Sequence, residues 1–324
     1  MYIRKNILLF IVFLSVCLQV SGQEESAPYG LTVNLLAHPE QVYLNGYPVS
    51  TILGDAITQK ENYQFTEIRT SHPVFGWIVS SGTNNTKQNS YRILVASDKE
   101  LLARDSADLW DTGKINSAQS INIPYKGKQL SPGTIYYWKA KTWDNHDRES
   151  AFSYIACFKT AESLTNYFTD RYPIQKKDDY PTRLVMVDEN CYFADFGKAS
   201  FGRLRVNLFS KTGTDSVHIH LGESMKNGRI DRSPGGSLRY SNYKVKPQQG
   251  WNTYVIAIGP DKRNTGSQAV LIPEYIGEVT PFRYCEIENY NHAMEEKDVI
   301  RETAFYPFNE HDSYFHSSDS ILNK

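Results

Sequence analysis

Five acidic residues in predicted loops are the first candidates for chemistry, because two carboxyl groups across a cleft can hydrolyse a glycosidic bond. One group acts as the acid and the other as the base or nucleophile. The candidates are Asp195, Glu223, Asp231, Glu274 and Glu278. Nothing in their spacing places two of them opposite each other, and acidic loop residues are usually solvated. We therefore assign no catalytic residue.

A second candidate site consists of flat side chains in the same half of the chain. Tyr240, Tyr243 and Trp251, together with Arg239, could stack on a sugar ring, because aromatic faces suit the apolar surfaces of sugars. Packing in a core or between domains is the more common role of such residues. Carbohydrate binding by these four residues is therefore a hypothesis.

Two histidines stand at alternate positions of a predicted strand, an arrangement in which both imidazoles could share a metal ion. Val217, Ile219 and Leu221 form the apolar face, so His218 and His220 should lie on the opposite, solvated or loop-covered face. No third ligand follows at a suitable spacing. We expect solvent-facing histidines, no metal site and no cofactor.

One run in the first half of the chain has the pattern of a framework strand. The run LSPGTIYYW at residues 130–138 makes a tight entry into a strand on which Tyr136, Trp138 and Ala140 alternate with Tyr137 and Lys139. A tyrosine at the start of such a strand can bond back across the corner, as in immunoglobulin-like sandwiches. This run is therefore predicted to be architectural.

Composition and targeting signals narrow the class of protein. The 324 residues can form two domains, and the net charge of −1 leaves no basic surface for nucleic acid. Arg4 and Lys5 precede an apolar run at residues 7–18 and then small and polar residues, which predicts a signal peptide over residues 1–22. We expect an exported protein, periplasmic or at the cell surface.

An alternative reading of the amino terminus is lipoprotein processing, with Cys17 lipidated. Val16 is bulky where such sites usually carry a small residue, so soluble export is favoured. After cleavage Cys157, Cys191 and Cys285 remain, an odd number without the spacing of a zinc site. We expect no disulfide and no zinc.

Period-two strand patterns recur between turn residues, so we predict an all-β chain of two sandwiches. The first covers residues 27–160, with residues 47–70 hard to place. A linker with a charged cluster at residues 176–179 is predicted over residues 161–181, and a jelly-roll-like double sheet over residues 182–310. Residues 311–324 read as the capped stub of a helix, truncated before a second turn.

Short phrases in both units resemble the N-terminal region of bacterial α-L-rhamnosidases, glycoside hydrolases that remove terminal L-rhamnose. In the first unit the phrases are SYRILVAS (90–97), LWDTGK (109–114), LSPGTIYYW (130–138) and WD (143–144). In the second they are DFGK (195–198), GRL (202–204), GT (213–214), LGE (221–223), NGRI (227–230) and PFRY (281–284). Their order and spacing make the combination more specific than any single phrase.

The resemblance implies a fibronectin type III-like sandwich followed by the β-sandwich that precedes the catalytic domain. In the family, paired acidic residues of an (α/α)6 barrel act with inversion, and FHSSDSILN at residues 315–323 looks like the lead-in to its first helix. The resemblance therefore implies an accessory region that is inactive alone and that meets rhamnose-containing glycans through the full-length enzyme.

Two other hypotheses remain open from the sequence. The chain could be a stand-alone carbohydrate-binding or cell-surface scaffold module that uses aromatic side chains such as Trp251. It could also complement a separately encoded catalytic barrel through an apolar patch. That patch would include Phe305, Tyr306, Phe308, Tyr314 and Phe315.

Overall fold

The computed structural model describes residues 27–323 apart from residues 80, 166–169, 262–264, 270–271 and 309–314. The predicted signal peptide, with Cys17, lies outside the described residues, as does Tyr314. Strands dominate the described chain, as predicted, and each α-helix is little more than one turn: α1 (Leu53–Ala56) and α2 (Lys99–Ala103). Among the described residues no helix is both long and apolar enough to cross a membrane.

The first unit is a sandwich of two antiparallel sheets. The smaller sheet has the order β1-β5-β9, and the larger has the order β11-β10-β6-β7, with β8 also paired to β6. The bounds are β1 (Tyr29–Val33), β5 (Val74–Ile78), β6 (Gln88–Ala96), β7 (Trp110–Asp111), β8 (Ile115–Asn116), β9 (Ile123–Pro124), β10 (Ile135–Asp144) and β11 (Ala156–Lys159).

The core of this sandwich confirms the alternation predicted for residues 136–140. Tyr136, Trp138 and Ala140 point into the core, where the rings of Trp138 and Phe75 lie 4.5 Å apart. The tyrosine corner is also confirmed, because the Tyr136 hydroxyl accepts a hydrogen bond of 2.7 Å from the backbone N–H of Ser131. This bond fixes the entry of β10 into the sheet.

The segment that the sequence leaves unplaced forms a small sheet of its own. Strands β2 (Val42–Leu44), β3 (Tyr47–Val49) and β4 (Tyr63–Phe65) have the order β3-β2-β4, and α1 follows β3 in the chain. The sheet lies against the second unit: the Gly46 carbonyl accepts a 2.7 Å hydrogen bond from the backbone N–H of Lys176, and the Tyr47 hydroxyl donates a 2.8 Å bond to Asp178. It joins the two sandwiches.

Part of the predicted linker is a strand. Residues Gln175–Asp179 form β12, which pairs with β21 (Val299–Phe305) along its whole length. The charged cluster at residues 176–179 is typical of a solvated connection. In the structure, however, Gln175 and Lys176 are buried beneath the sheet β3-β2-β4. Contact with another unit cannot be read from the local pattern of one strand.

The second unit is organised by one long strand, β14 (Cys191–Ser210), that crosses between two sheets. Its first part pairs with β13 and β20, and its last part pairs with β21 and β19. The sheets therefore read β13-β14-β20-β15-β18 and β12-β21-β14-β19. The remaining bounds are β13 (Arg183–Asp188), β15 (Val217–Gly222), β16 (Met225–Lys226), β17 (Arg229–Ile230), β18 (Tyr240–Val245), β19 (Gly250–Val255) and β20 (Thr280–Glu288).

Within the double sheet predicted over residues 182–310, the sequence patterns at residues 253–258 and 269–272 each predict a strand, and the structure differs from both predictions. The strand β19 begins and ends three residues earlier than the first of these segments, and Ala269 and Ile272 of the second are not strand residues. Residues 320–323 form a single turn, in which the Asp319 side chain accepts from the backbone N–H of Ile321. An isolated turn gains too few hydrogen bonds to continue as a helix.

We predict that Tyr136→Phe lowers the free energy of unfolding by about 1–2 kcal/mol, because it leaves the Ser131 N–H without its acceptor. Urea unfolding followed by far-UV circular dichroism measures the change. Tyr137→Phe, on the opposite face of the same strand, is the matched control. Equal effects of the two substitutions would contradict a special role for the corner.

Candidate functional site

The outer face of the sheet β13-β14-β20-β15-β18 carries charged side chains, because its inner face is committed to the core. Val217, Ile219 and Leu221 of β15 are buried in that core. Register then places His218 opposite Glu288 and His220 opposite Glu286 of β20 on the outer face. Ionisable groups from neighbouring strands are thus brought side by side.

Glu286 is at the centre of this face and is fully buried. Arg229 donates to both of its carboxylate oxygens, at 2.9 and 3.2 Å, and the backbone N–H of Ile230 donates at 2.8 Å. Arg232 adds a bond of 3.2 Å. The buried charge is therefore compensated by two guanidinium groups and one amide.

A short hairpin brings Arg229 to this position. Strands β16 and β17 are joined by Asn227 and Gly228, both with positive φ, the combination that a two-residue hairpin turn requires. Ile230 then packs over Gly222, where a Cβ atom would come within 2.5 Å of the Ile230 side chain. Because Gly222 has no side chain, the hairpin can lie close to the sheet.

The expectation of two solvent-facing histidines is wrong for His220, because this residue is only 6% exposed. Its Nδ1 lies 2.8 Å from the Tyr240 hydroxyl and its Nε2 lies 3.2 Å from Glu288. The hairpin and the loop after it cover this end of the strand. Alternation identified the correct face, but it could not show what covers that face.

We call Glu286, Glu288, Arg229, Arg232 and His220 the ionic cluster, and its charges perturb one another. Burial raises the pKa of Glu286, but hydrogen bonds from Arg229, the Ile230 amide and Arg232 outweigh this effect and hold the pKa below its usual range. Burial lowers the pKa of His220, and Arg232 lowers it further. At neutral pH the carboxylates are ionised and the imidazole is neutral.

The ionic cluster has a structural role, because its charged groups are bonded to one another. Both carboxylates are bonded to arginines, and both ring nitrogens of His220 have partners. Within the described residues, no group of three or more His, Cys, Asp or Glu residues is arranged to hold a metal ion. The cluster attaches the hairpin to the sheet.

The four residues proposed to bind sugar do not form one site. Arg239 is largely buried, with its Nε 3.3 Å from Asp261, and Tyr240 stacks nearly parallel to His220 beside the ionic cluster. Tyr243 packs against the core, and Trp251 is 60% exposed on β19 in the other sheet. Tyr240 and Tyr243 are three residues apart on one strand, so they point to opposite faces.

Three of the five acidic residues that were candidates for catalysis have hydrogen-bond partners of their own. Asp195 accepts two hydrogen bonds from Arg283, at 2.8 and 2.9 Å, and these bonds are the main cause of its lowered pKa. Glu223 accepts from the backbone N–H of Arg239, and Asp231 accepts from that of Ser233. These contacts are typical of structural carboxylates.

A separate apolar groove of about 790 Å³ lies beside the end of β21. Its lining includes Tyr172, Phe201, Ile272, Tyr275, Ile276 and Tyr306, and Arg171 is the one charged residue among the described residues that line it. The Tyr172 hydroxyl accepts from the Ala37 amide, and the Tyr275 hydroxyl donates to the Ile174 carbonyl. Because both hydroxyl groups are hydrogen-bonded to the backbone, these tyrosines present their aromatic rings to the groove.

The ionic cluster was missed in the sequence, although a signal for it exists. Tyr284, Glu286 and Glu288 alternate with the buried Cys285 and Ile287 in a strand interior. Two carboxylates on a predicted strand require cations nearby. Arg229 and Arg232 were the available partners, but 54 or more residues separate each from Glu286.

Comparison with known proteins finds a family model that matches each unit. Residues 58–162 match the Rha78A-like, N-terminal immunoglobulin domain, and residues 186–305 match the bacterial alpha-L-rhamnosidase concanavalin-like domain. An alpha-L-rhamnosidase of Formosa agariphila is 40% identical over 216 residues, which cover 59% of this chain and 22% of that protein. One of Streptomyces avermitilis is 33% identical over 90 residues, which cover 28% of this chain and 8% of that protein.

Solved structures support the fold. The alpha-L-rhamnosidase of Dictyoglumus thermophilum matches with a TM-score of 0.56 and 13% identity, over 87% of this chain and 49% of that one. The enzyme of Aspergillus terreus matches with a TM-score of 0.55 and 9% identity, over 90% of this chain and 51% of that one. This chain therefore spans 22% and 8% of the two relatives compared by sequence and about half of these two structures.

We predict that Glu286→Gln lowers the free energy of unfolding by about 3 kcal/mol, because it leaves Arg229 and Arg232 without their buried counter-charge. Urea denaturation measures the loss. Glu40→Gln, which removes an exposed carboxylate paired with His38, is the control and should change stability by less than about 0.5 kcal/mol. A similar change in the free energy of unfolding for both variants would show that the ionic cluster does not stabilise the fold.

The ionic cluster also predicts how stability depends on pH. Because the pKa of His220 is lowered from 6.5, the unfolded chain binds a proton that the folded chain resists, so stability falls as pH drops below 6.5. The pKa values of Glu286 and Glu288 are also lowered, so stability falls further when the pH drops below 4.5, the ordinary pKa of glutamate. Urea midpoints from pH 8 to pH 4 test this, with His220→Gln expected to flatten the upper part. A midpoint that rises on acidification would contradict it.

Proposed function

We propose that this chain is the accessory region of a rhamnosidase-type glycoside hydrolase, because its two sandwiches match the N-terminal immunoglobulin and concanavalin-like domain models of alpha-L-rhamnosidases. In this proposal it supports a catalytic domain that removes terminal L-rhamnose from glycans, and it does not cleave the glycosidic bond itself. The observation that carries the proposal is that two family matches fall on successive sandwiches, at residues 58–162 and 186–305.

The state of the acidic residues supports a non-catalytic role. Inverting hydrolysis requires two carboxyl groups about 6.5–9.5 Å apart with room for a water between them. Glu286 and Glu288 are neutralised by arginines, and Asp195 is held by Arg283. The apolar groove, the large cleft described above, has no acidic residue among the described residues that line it.

The apolar groove is the surface that we assign to the catalytic domain. It lies where the chain leaves the second sandwich, at Phe305 and Tyr306, and Phe308 just beyond is 82% exposed. Aromatic surface of this extent is typical of a protein contact. A catalytic domain on the same polypeptide and a separately encoded barrel would use the groove in the same way.

We further propose that the protein acts outside the cytoplasm, in the periplasm or at the cell surface. The basis is the charged, apolar and small-residue order of residues 1–22. Anchoring through Cys17 remains the alternative to soluble export. A rhamnose-containing glycan would be met there through the complete enzyme.

Purified chain should show no turnover of an aryl α-L-rhamnoside. Release of the aryl alcohol is followed by absorbance at protein concentrations high enough to detect traces. Glu223→Gln, Asp231→Asn and Glu278→Gln, assayed in parallel, separate contamination from activity. Turnover that one of these substitutions abolishes would overturn the proposal, whereas traces equal in all samples would come from a contaminant.

A further inference from the structure

The outer face of the sheet β12-β21-β14-β19 differs from that of the other sheet, because it is open at one end. Trp251, Thr253 and Val255 are successive outward residues of the edge strand β19, and all three are exposed. Trp251 is the most exposed of the three, at 60%. Core packing therefore does not account for the indole ring.

Trp251 packs against one aromatic ring, which is itself packed against another ring. Register places Phe209 of β14 directly opposite Trp251, with ring centroids 5.6 Å apart, and His292 meets Phe209 edge-on at 4.9 Å. Phe209 and His292 are only partly buried. The indole is thus held by ring contacts while much of its surface faces solvent.

Polar side chains follow the rings along the same face. One pair further along, Thr253 lies opposite Asn207, and its hydroxyl donates a 2.7 Å bond to the Asn207 side-chain oxygen. The hydroxyl oxygen keeps its lone pairs as acceptors. The Asn207 amide nitrogen donates a long bond of 3.4 Å to Asp298, and the second N–H of this amide is the donor that a ligand can use.

The far end of this face is closed by charges and by the first unit. Arg205 bonds Glu302 at 2.9 Å and also bonds Asp178, to which Tyr47 of the small sheet donates. Val255 lies four positions after Trp251 on this extended strand, a span of about 13 Å. The open strip is therefore short, and it runs from the Trp251 ring to the ion pairs of Arg205.

We propose that this strip, formed by Trp251, Phe209, Thr253 and Asn207, binds a short oligosaccharide segment. A sugar ring presents an apolar C–H face to an aromatic ring and hydroxyl groups at its edge. In the strip, the flat indole is followed by the Thr253 hydroxyl as an acceptor and the Asn207 amide as a donor. A sugar whose apolar face stacks on the indole can therefore reach these two groups with the hydroxyl groups at its edge. A single sugar would contact only the indole, so an oligosaccharide should bind more tightly than a monosaccharide.

This proposal deepens the accessory role and rests on it for the source of the ligand, which is the glycan that bears rhamnose. It also selects among the four residues predicted from sequence. Trp251 belongs to the strip, whereas Arg239, Tyr240 and Tyr243 have partners elsewhere. Binding is measured without catalysis, so its failure is distinct from the failure of the proposed function.

The test is calorimetric titration of the whole chain with L-rhamnose and with oligosaccharides released from a rhamnose-containing polysaccharide. We expect the oligosaccharides to bind, Trp251→Ala to weaken binding at least tenfold, and Thr253→Val to weaken it several-fold. Tyr29→Ala, which removes a half-exposed aromatic side chain from the first unit, should have no effect. Unfolding midpoints check that each variant is folded.

Tryptophan fluorescence locates the bound sugar in the unaltered chain. Of the five tryptophans, Trp77, Trp138 and Trp143 are buried and Trp110 packs against the core, so a change on binding reports mainly on Trp251. No binding of any of these oligosaccharides would overturn the proposal, as would equal binding by Trp251→Ala. A Trp251→Ala variant that changes only the oligomeric state in light scattering would assign the strip to a protein contact instead.

Discussion

The second sandwich depends on a single constraint, which is that β14 must belong to both sheets. The strand pairs with β13 and β20 up to Gly202 and with β21 and β19 from Gly202 onwards, and the register of its pairing with β20 shifts between Asp195 and Ser200. Gly202 at this crossing allows the close approach of β21, because a Cβ atom there would lie 2.7 Å from the Glu302 carbonyl oxygen. With the inner faces filled by Leu204, Val206 and their neighbours, all other chemistry is displaced to two outer faces.

Those two outer faces have different physical characters. One is covered by the β16–β17 hairpin, whose arginines neutralise the buried Glu286, so its charges stabilise the fold. The other carries an exposed indole and a short polar row, with its far end closed by the first unit. The apolar groove beside β21 is a third surface. An accessory region needs a contact for its catalytic domain and gains from a contact for its glycan. We assign the groove beside β21 to the catalytic domain and the face with the exposed indole to the glycan.

Local patterns in the sequence were sufficient for the fold class, the inner faces of β10 and β15, and the tyrosine corner, because each depends on residues close in the chain. They were insufficient where distant segments meet. His220 is buried by a hairpin that follows it in sequence, β12 becomes a strand only by pairing with β21, and the four proposed sugar-binding residues are distributed over two sheets. Alternation gives the face of a side chain but not its neighbours.

The central claim is that these sandwiches serve a catalytic domain through the groove beside β21. Hydrogen–deuterium exchange of this chain, alone and with an α-L-rhamnosidase catalytic domain from the same organism, tests it directly. We expect slower exchange confined to the backbone around residues 172–174, 272–279 and 304–306. Unchanged exchange at these residues, or protection elsewhere in their place, would contradict it.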